Sequence, residues 1–487
     1  MNRPDWRSAS RAHPSTRWRT PATTPTTTPS PPLGRLIEGL RTDTFAEAAK
    51  RFQSSAVISD CSAIASYSWL GARDPTILVP GMTLYYFGLP RKADDSTGRP
   101  PRWTPLAEPM RLSQDSGQYF RDRNAARYPK YPLEPAIIAG FKMSPDLCRD
   151  GEVDVVACGS TVGNLLRFVR GKDKPYRILV DMVGETVFFI RRENPPAELI
   201  PDVRGFGHTF PEAYTTWDAD VRGSQCHERL LRYNFGDLRF LLRASADGYM
   251  RNAASGRAHH PVLNGDKETS KIPESISTVT EWLGDTFIAP GGPTNVTAGL
   301  KVRNGGTLVE QSSLFELKTR SLRKKEEDTL GEELPRLWAR QVPNFILAHH
   351  EKGLFEDIKE NDVRAKVNEW ERSHQDDLCR LAALVHHVID ILRKEPHRKI
   401  ELCYDGEGNL EVREALSGTA DALSPEVKTL WINGASADAS KEPEDVSGEP
   451  DDSGSDDVLE WKDEGPPDFT ACSAACGYCG LCRSPRV

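Results

Sequence analysis

Two segments of this chain end in groups able to hold a divalent metal: Arg239-Phe-Leu-Leu-Arg-Ala-Ser-Ala-Asp247 and Ser313-Leu-Phe-Glu316-Leu-Lys318-Thr. Both read as β-strands. Strand side chains alternate faces, so Glu316 and Lys318 project to one side while Phe315 and Leu317 enter a core. With the Asp247 strand alongside, the Asp247 carboxylate would join Glu316 as a hard oxygen ligand for Mg²⁺ or Mn²⁺, and Lys318 would orient an attacking water or offset phosphate charge. That is phosphodiesterase chemistry. On this reading Glu316→Ala abolishes turnover and spares the fold, because a solvent-facing ligand is removed rather than core volume. A bare Glu-x-Lys triplet carries little weight, since exposed charged strand faces are common. The order of the surrounding segments has to decide.

The elements that would position these groups read as α/β or α+β, a mixed sheet flanked by helices. Tyr176 to Arg192 is a hairpin pattern turning at Gly184, and Pro343 to Ile358 another turning at Glu351-Lys-Gly353. Ile400 to Tyr404 and Leu410 to Val412 flank Asp405-Gly-Glu-Gly-Asn, a third hairpin signal. From Asp362 to Lys394, apolar residues from Val363 to Leu392 recur at helical spacing, which predicts one core-facing helix. On that stripe, His386 and His387 read as packing residues rather than catalytic ones.

From about residue 127 to 392 the order of features resembles the DXO-type decapping exonuclease family, and is also similar to uncharacterised fungal proteins with the same motif order. Asp154-Val-Val-Ala-Cys-Gly-Ser-Thr-Val-Gly-Asn resembles the family's strand-then-basic-loop segment, with Cys158 and Gly159 in place of its Trp-Arg pair. Gly207-His-Thr-Phe-Pro-Glu212 resembles the Gly-aromatic-x-Phe-Glu motif with one residue inserted. Ser245-Ala-Asp247 resembles Glu-x-Asp, and Glu316-Leu-Lys318 resembles Glu-x-Lys. Leu337-Trp-Ala-Arg-Gln341 resembles the segment whose Gln contacts the site, and Arg127 resembles an upstream substrate-binding Arg.

The resemblance implies a nuclease-like mixed sheet with a two-cation site, Mg²⁺ or Mn²⁺ held by Glu212, Asp247 and Glu316, with Lys318 and Gln341 at its edge. It implies hydrolysis at capped, NAD-capped or triphosphorylated RNA 5′ ends, with or without 5′→3′ digestion. Ser245 departs from the pattern, because a neutral hydroxyl does not replace an anionic ligand for a hard cation. The alternative is therefore a non-catalytic RNA-binding or scaffold protein on the same fold. Basic residues that would contact the RNA are Arg167 and Arg170 after the Asp154 strand, and Arg320 and its neighbours beyond Lys318. A prenyl-diphosphate synthase is excluded: Asp376-Asp377 is followed by Leu-Cys-Arg, not by the spacing of an Asp-Asp-x-x-Asp motif.

Composition bounds the rest. The chain has 487 residues, 38% hydrophobic and 28% charged, enough for a sizeable core. Residues 1–35 read as a disordered basic arm, 36–434 as the DXO-like domain with a long insertion at about 250–311, 435–468 as an acidic disordered linker, and 469–487 as a Cys-rich tail. No apolar run is long enough to span a bilayer, so the expected setting is intracellular, nuclear or cytoplasmic, with mitochondrial import left open by the Arg-rich start. Residues 438–468 hold 13 acids and 2 bases, and read either as a solubilising linker or as a competitor for a basic groove. Cys472, Cys476, Cys479 and Cys482 are spaced C-x3-C-x2-C-x2-C, which leaves a Zn²⁺ knuckle, an iron–sulfur site and a thiol-rich tail all open.

Overall fold

The apolar alternation of Val155–Cys158, Ser224–Phe235 and Leu238–Ala246 builds the middle of a large mixed sheet. The structure, a computed structural model, describes residues 30–80, 99–148, 153–193, 195–201, 203–251, 294–297, 299–306 and 308–435. Most of the basic arm, residues 252–293 of the insertion, the acidic linker and the four tail cysteines lie outside these residues. Among the described residues the strands form one sheet of twelve and one of six. No helix among them is long and apolar enough to cross a membrane.

In the larger sheet, Leu238–Ala246 runs parallel to Val155–Cys158, with Arg243 opposite Cys158, and antiparallel to Ser224–Phe235, with Ser245 opposite Glu228. Phe240, Leu242, Ala244 and Ala246 enter the core under the helices Gly159–Val169, Thr329–Arg340 and Gln375–Lys394. Leu241 enters the core on the opposite face, with the helices Glu134–Met143 and Pro425–Ala435. Arg243, Ser245 and Asp247 continue the Leu241 face by the two-residue period. Helices thus cover both faces of a mixed sheet, the expected α/β architecture.

After Ala246 the chain leaves this sheet. Gly248–Tyr249 pairs antiparallel with Leu314–Ser321 in the six-stranded sheet, Gly248 opposite Phe315, and Leu314–Ser321 runs parallel to Asn344–Glu351. Asp247 therefore sits at the joint between the two sheets, beside the Glu316 strand. A Cβ on Gly248 would lie 2.4 Å from Phe315 Cζ and 2.5 Å from the Pro101 carbonyl oxygen, so the joint closes only around glycine.

The three hairpins form as expected, with positive φ at Gly184, at Lys352 and Gly353, and at Gly406 and Gly408. His386 stacks on Phe52 and lies 2.7 Å from the Gly236 carbonyl oxygen, a packing role. One expectation changes. The single helix over Asp362–Lys394 is two, Arg364–Ser373 and Gln375–Lys394. His374 breaks it: its ring folds back to stack on Trp370, with Nδ1 2.9 Å from the Trp370 carbonyl, which periodicity of apolar residues cannot register. Near the end of the 250–311 insertion, Leu300–Asn304 adds a strand parallel to Thr76–Val79 and buries Leu300 and Val302.

Gly248→Ala is expected to cost about 1–3 kcal/mol, the scale of overpacking in a closed site. Gly205→Ala, whose Cβ would meet nothing within 4 Å, should leave the denaturation midpoint unchanged. Equal midpoints for both variants in urea would show that the joint is not closed around Gly248.

Candidate functional site

The helix Thr329–Arg340 starts at Asp328, whose side chain accepts the Gly331 N–H at 3.0 Å. Helical spacing sends Leu337 and Trp338 into the core and leaves Glu333, Arg336 and Arg340, three and four residues apart, on a common face. That face lies over the Glu316 strand. Lys318 Nζ is 2.6 Å from Glu333 Oε1, Arg336 pairs with Glu316 Oε1, and Arg340 Nη1 lies 3.3 Å from Glu316 Oε2. Arg340 Nη1 also donates to Ser245 Oγ at 3.0 Å, which ties the helix to the Asp247 strand.

The electrostatics follow from burial. Glu316 is only 2% exposed, and both of its oxygens face guanidinium groups. Asp247 is half-buried beside it, with Oδ2 accepting the Leu317 N–H at 2.8 Å. Burial, and then the Glu316 charge, push its carboxyl up to about 6 against the pull of Arg336 and Arg340. Burial works against the Arg336 charge, yet Glu316, Asp247 and Glu333 outweigh it and hold the group protonated.

Above this layer opens a cleft of about 1340 Å³ lined by Glu212, Arg243, Ser245, Asp247, Glu333, Arg336 and Arg340, and by the start of the helix Gly159–Val169. Arg167, Arg170, Lys174 and Arg191 line another part of it. Arg243 is buried, donates to the Pro132 carbonyl at 2.7 Å and lies 3.7 Å from Asp122 and 3.9 Å from Glu228.

The residues do not fit a two-cation site as they stand. Among the described residues no three His, Cys, Asp or Glu side chains are arranged to hold a metal ion. Glu316, one of the three carboxylates expected as ligands, is taken by two arginines. A unit charge repels another by ~4 kcal/mol at about 4 Å in an effective dielectric of about 20, so a divalent ion beside Arg336 and Arg340 is opposed severalfold. Ser245, the neutral position, accepts from Arg340 at the edge of the cleft.

Of the residues expected at the site, Glu212, Asp247, Arg167 and Arg170 line the cleft. Glu316 lies beneath it, covered by Arg336 and Arg340. Lys318 is spent on Glu333, and the remaining three are elsewhere. Gln341 is the left-handed C-cap of its helix, φ 50°, and its amide donates to the Trp338 carbonyl at 2.7 Å. Arg127 bonds the Leu70 carbonyl and lies over the Trp69 ring. Arg320 pairs with Glu332 at 3.6 Å. Each is drawn off by a nearer partner that spacing along the chain does not reveal. Arg336, Arg340 and Arg243 were missed, although strand alternation back from Asp247 points to Arg243, and Arg336 and Arg340, four residues apart, share one helical face. Tyr119 and His208, stacked with centroids 3.4 Å apart, also line the cleft and carry no local signal.

Comparison with known proteins places the chain in a family: it belongs to the one described as Domain of unknown function (DUF8563), which matches residues 46–416. No curated protein matches it. Similar solved structures include Candida albicans Rai1 in complex with pU5 and Mn²⁺, 9% identical over 82% of this chain and 100% of that one, TM-score 0.48. Scheffersomyces stipitis Rai1 in complex with 3′-NADP⁺ and calcium is 10% identical over 83% and 100%, TM-score 0.47. K. lactis Dxo1 in complex with manganese is 10% identical over 81% and 97%, TM-score 0.38. These structures come from the group of proteins that the motif order resembles.

Because Glu316 is buried and paired, Glu316→Ala does not spare the fold as a solvent-facing ligand would. It strands two guanidinium groups and should cost about 3–5 kcal/mol, the scale for removing one partner of a buried pair. Chemical denaturation with a midpoint near that of the parent would mean that Glu316 is not held as described.

Proposed function

We propose that the cleft receives the phosphorylated 5′ end of an RNA strand. The observation that carries this reading is its charge: twelve Lys and Arg side chains line it against eight Asp and Glu, in a chain whose formal net charge is −8. Cations gathered against the overall charge point to an anionic ligand in a local groove. Burial, and then Arg167, Arg191 and Arg121, hold the Lys174 amine below its usual range, a crowding that a polyphosphate would relieve. The stacked Tyr119 and His208 rings offer a π face to a nucleobase, the sequence-tolerant contact of single-strand binders. The order of motifs, which resembles the decapping exonucleases, supports RNA 5′ ends as the class of ligand.

A second reading is hydrolysis at that end with Mg²⁺ or Mn²⁺. It is favoured by Asp247 and Glu212, two carboxylates that line the same cleft. The arginine layer over Glu316 speaks against it, so recognition without turnover is the better-supported form of the proposal.

Short single-stranded RNAs bearing 5′-triphosphate, 5′-monophosphate or 5′-hydroxyl separate the readings. Binding should favour the phosphorylated ends by about tenfold, some 1.4 kcal/mol, and weaken steeply with salt. Lys174→Gln should flatten the log–log salt slope by about 0.7, one phosphate contact on a single strand. Salt-independent binding would end the RNA reading. Conversion of the triphosphate to monophosphate by protein with Mn²⁺ would establish the second reading over the first.

A further inference from the structure

We infer that the terminal 5′ phosphate is held by Arg336 and Arg340 together with the N-terminus of the helix Gly159–Val169, in a subsite that works without a divalent cation. The inference rests on the proposed binding of RNA 5′ ends and assigns the residues and the ion requirement of that binding.

Three features meet at this point. The first is the arginine pair. Arg336 is 40% exposed and reaches from the cleft to Glu316, while Arg340 spends Nη1 on Glu316 and Ser245. Their Nε atoms are buried and have no hydrogen-bond partner among the described residues. Glu316, Asp247 and Glu333 balance the charge of the pair, and the guanidinium donors they leave unused suit the oxygens of a phosphate.

The second feature is the helix start. The helix Gly159–Val169 is eleven residues long, follows the strand Val155–Cys158 directly, and has no side-chain cap at Cys158. Its first N–H groups are thus without a capping side chain, on the end where the helix dipole is positive. Gly159, Ser160 and Gly163 line the cleft.

Contact between the two is the third. A Cβ on Gly159 would lie 3.1 Å from Arg340 Cγ and Nε, so glycine at the first helical position lets the guanidinium lie against the helix start. Arg340 thereby brings charge to the strand–helix turn at Cys158 and Gly159. A phosphate between the helix start and the arginines would accept from backbone N–H and guanidinium groups together, the combination that binds anions at helix N-termini.

The test uses the full chain and a 5′-monophosphorylated penta-uridine RNA against its 5′-hydroxyl counterpart, by fluorescence anisotropy with EDTA or with Mn²⁺. The preference for the phosphorylated strand should be the same in both buffers. Arg336→Gln should reduce it at least fivefold. Glu316→Gln/Arg340→Gln removes the carboxylate with one of its two arginines, leaves Arg336 to Glu333, and, in protein whose thermal melt shows it folded, should also lose the preference. Ser160→Asp puts a carboxylate at the helix start; it should lower affinity for the phosphorylated strand without lowering the melting temperature, which a purely structural role would not predict. A preference that vanishes in EDTA, or survives Arg336→Gln and Ser160→Asp unchanged, overturns the inference while leaving 5′-end binding intact. If the parent protein shows no 5′-phosphate preference, the proposed function falls first and takes the subsite with it.

Discussion

The buried carboxylate of Glu316, gripped by Arg336 and Arg340, is the interaction on which the rest of the site depends. A buried carboxylate is costly unless it is paired and hydrogen-bonded. Here the helix Thr329–Arg340 supplies both partners from one face, and Arg340 reaches on to Ser245 in the neighbouring strand. One charge cluster therefore fixes the helix on the six-stranded sheet and joins that sheet to the end of Leu238–Ala246. It also sets the chemistry of the cleft floor, where guanidinium groups cover the Glu316 carboxylate.

The same joint explains why Asp247 behaves as it does. Its strand runs out where the chain passes from one sheet to the other, and its side chain turns back to accept the Leu317 N–H. That hydrogen bond completes the joint, and the neighbouring Glu316 charge makes a second full negative charge there unfavourable. Gly248 permits the close crossing over Phe315, so the geometry of the site and the continuity of the two sheets have one cause.

Charge is distributed so that the cleft opposes the chain as a whole. The chain is net negative, with its densest acidic run at 438–468, yet the lining of the cleft is cationic. Several of those cations answer to carboxylates at the rim, as Arg121 does to Glu198 and Arg170 to Asp377. Such pairs hold the long side chains in place more than they stabilise the fold. What they leave is a positively biased groove beside a polar floor.

Alternation and turn chemistry are local, and the sequence by itself determined what they govern. The three hairpins, the strands through Glu316 and Asp247, and the packing of His386 follow from spacings of two and from glycines at positive φ. The division of Phe315 and Leu317 from Glu316 and Lys318 is likewise set by the pleat. Partner choice is not local. Whether Lys318 faces a ligand or Glu333, whether Gln341 points to the cleft or caps its helix, and whether Arg127 meets substrate or Trp69 depend on what another segment brings within 3 Å. The carboxylate that spacing marks as a metal ligand became a buried ion-pair partner because a helix some twenty residues later laid two arginines over it, and only the tertiary structure could decide that.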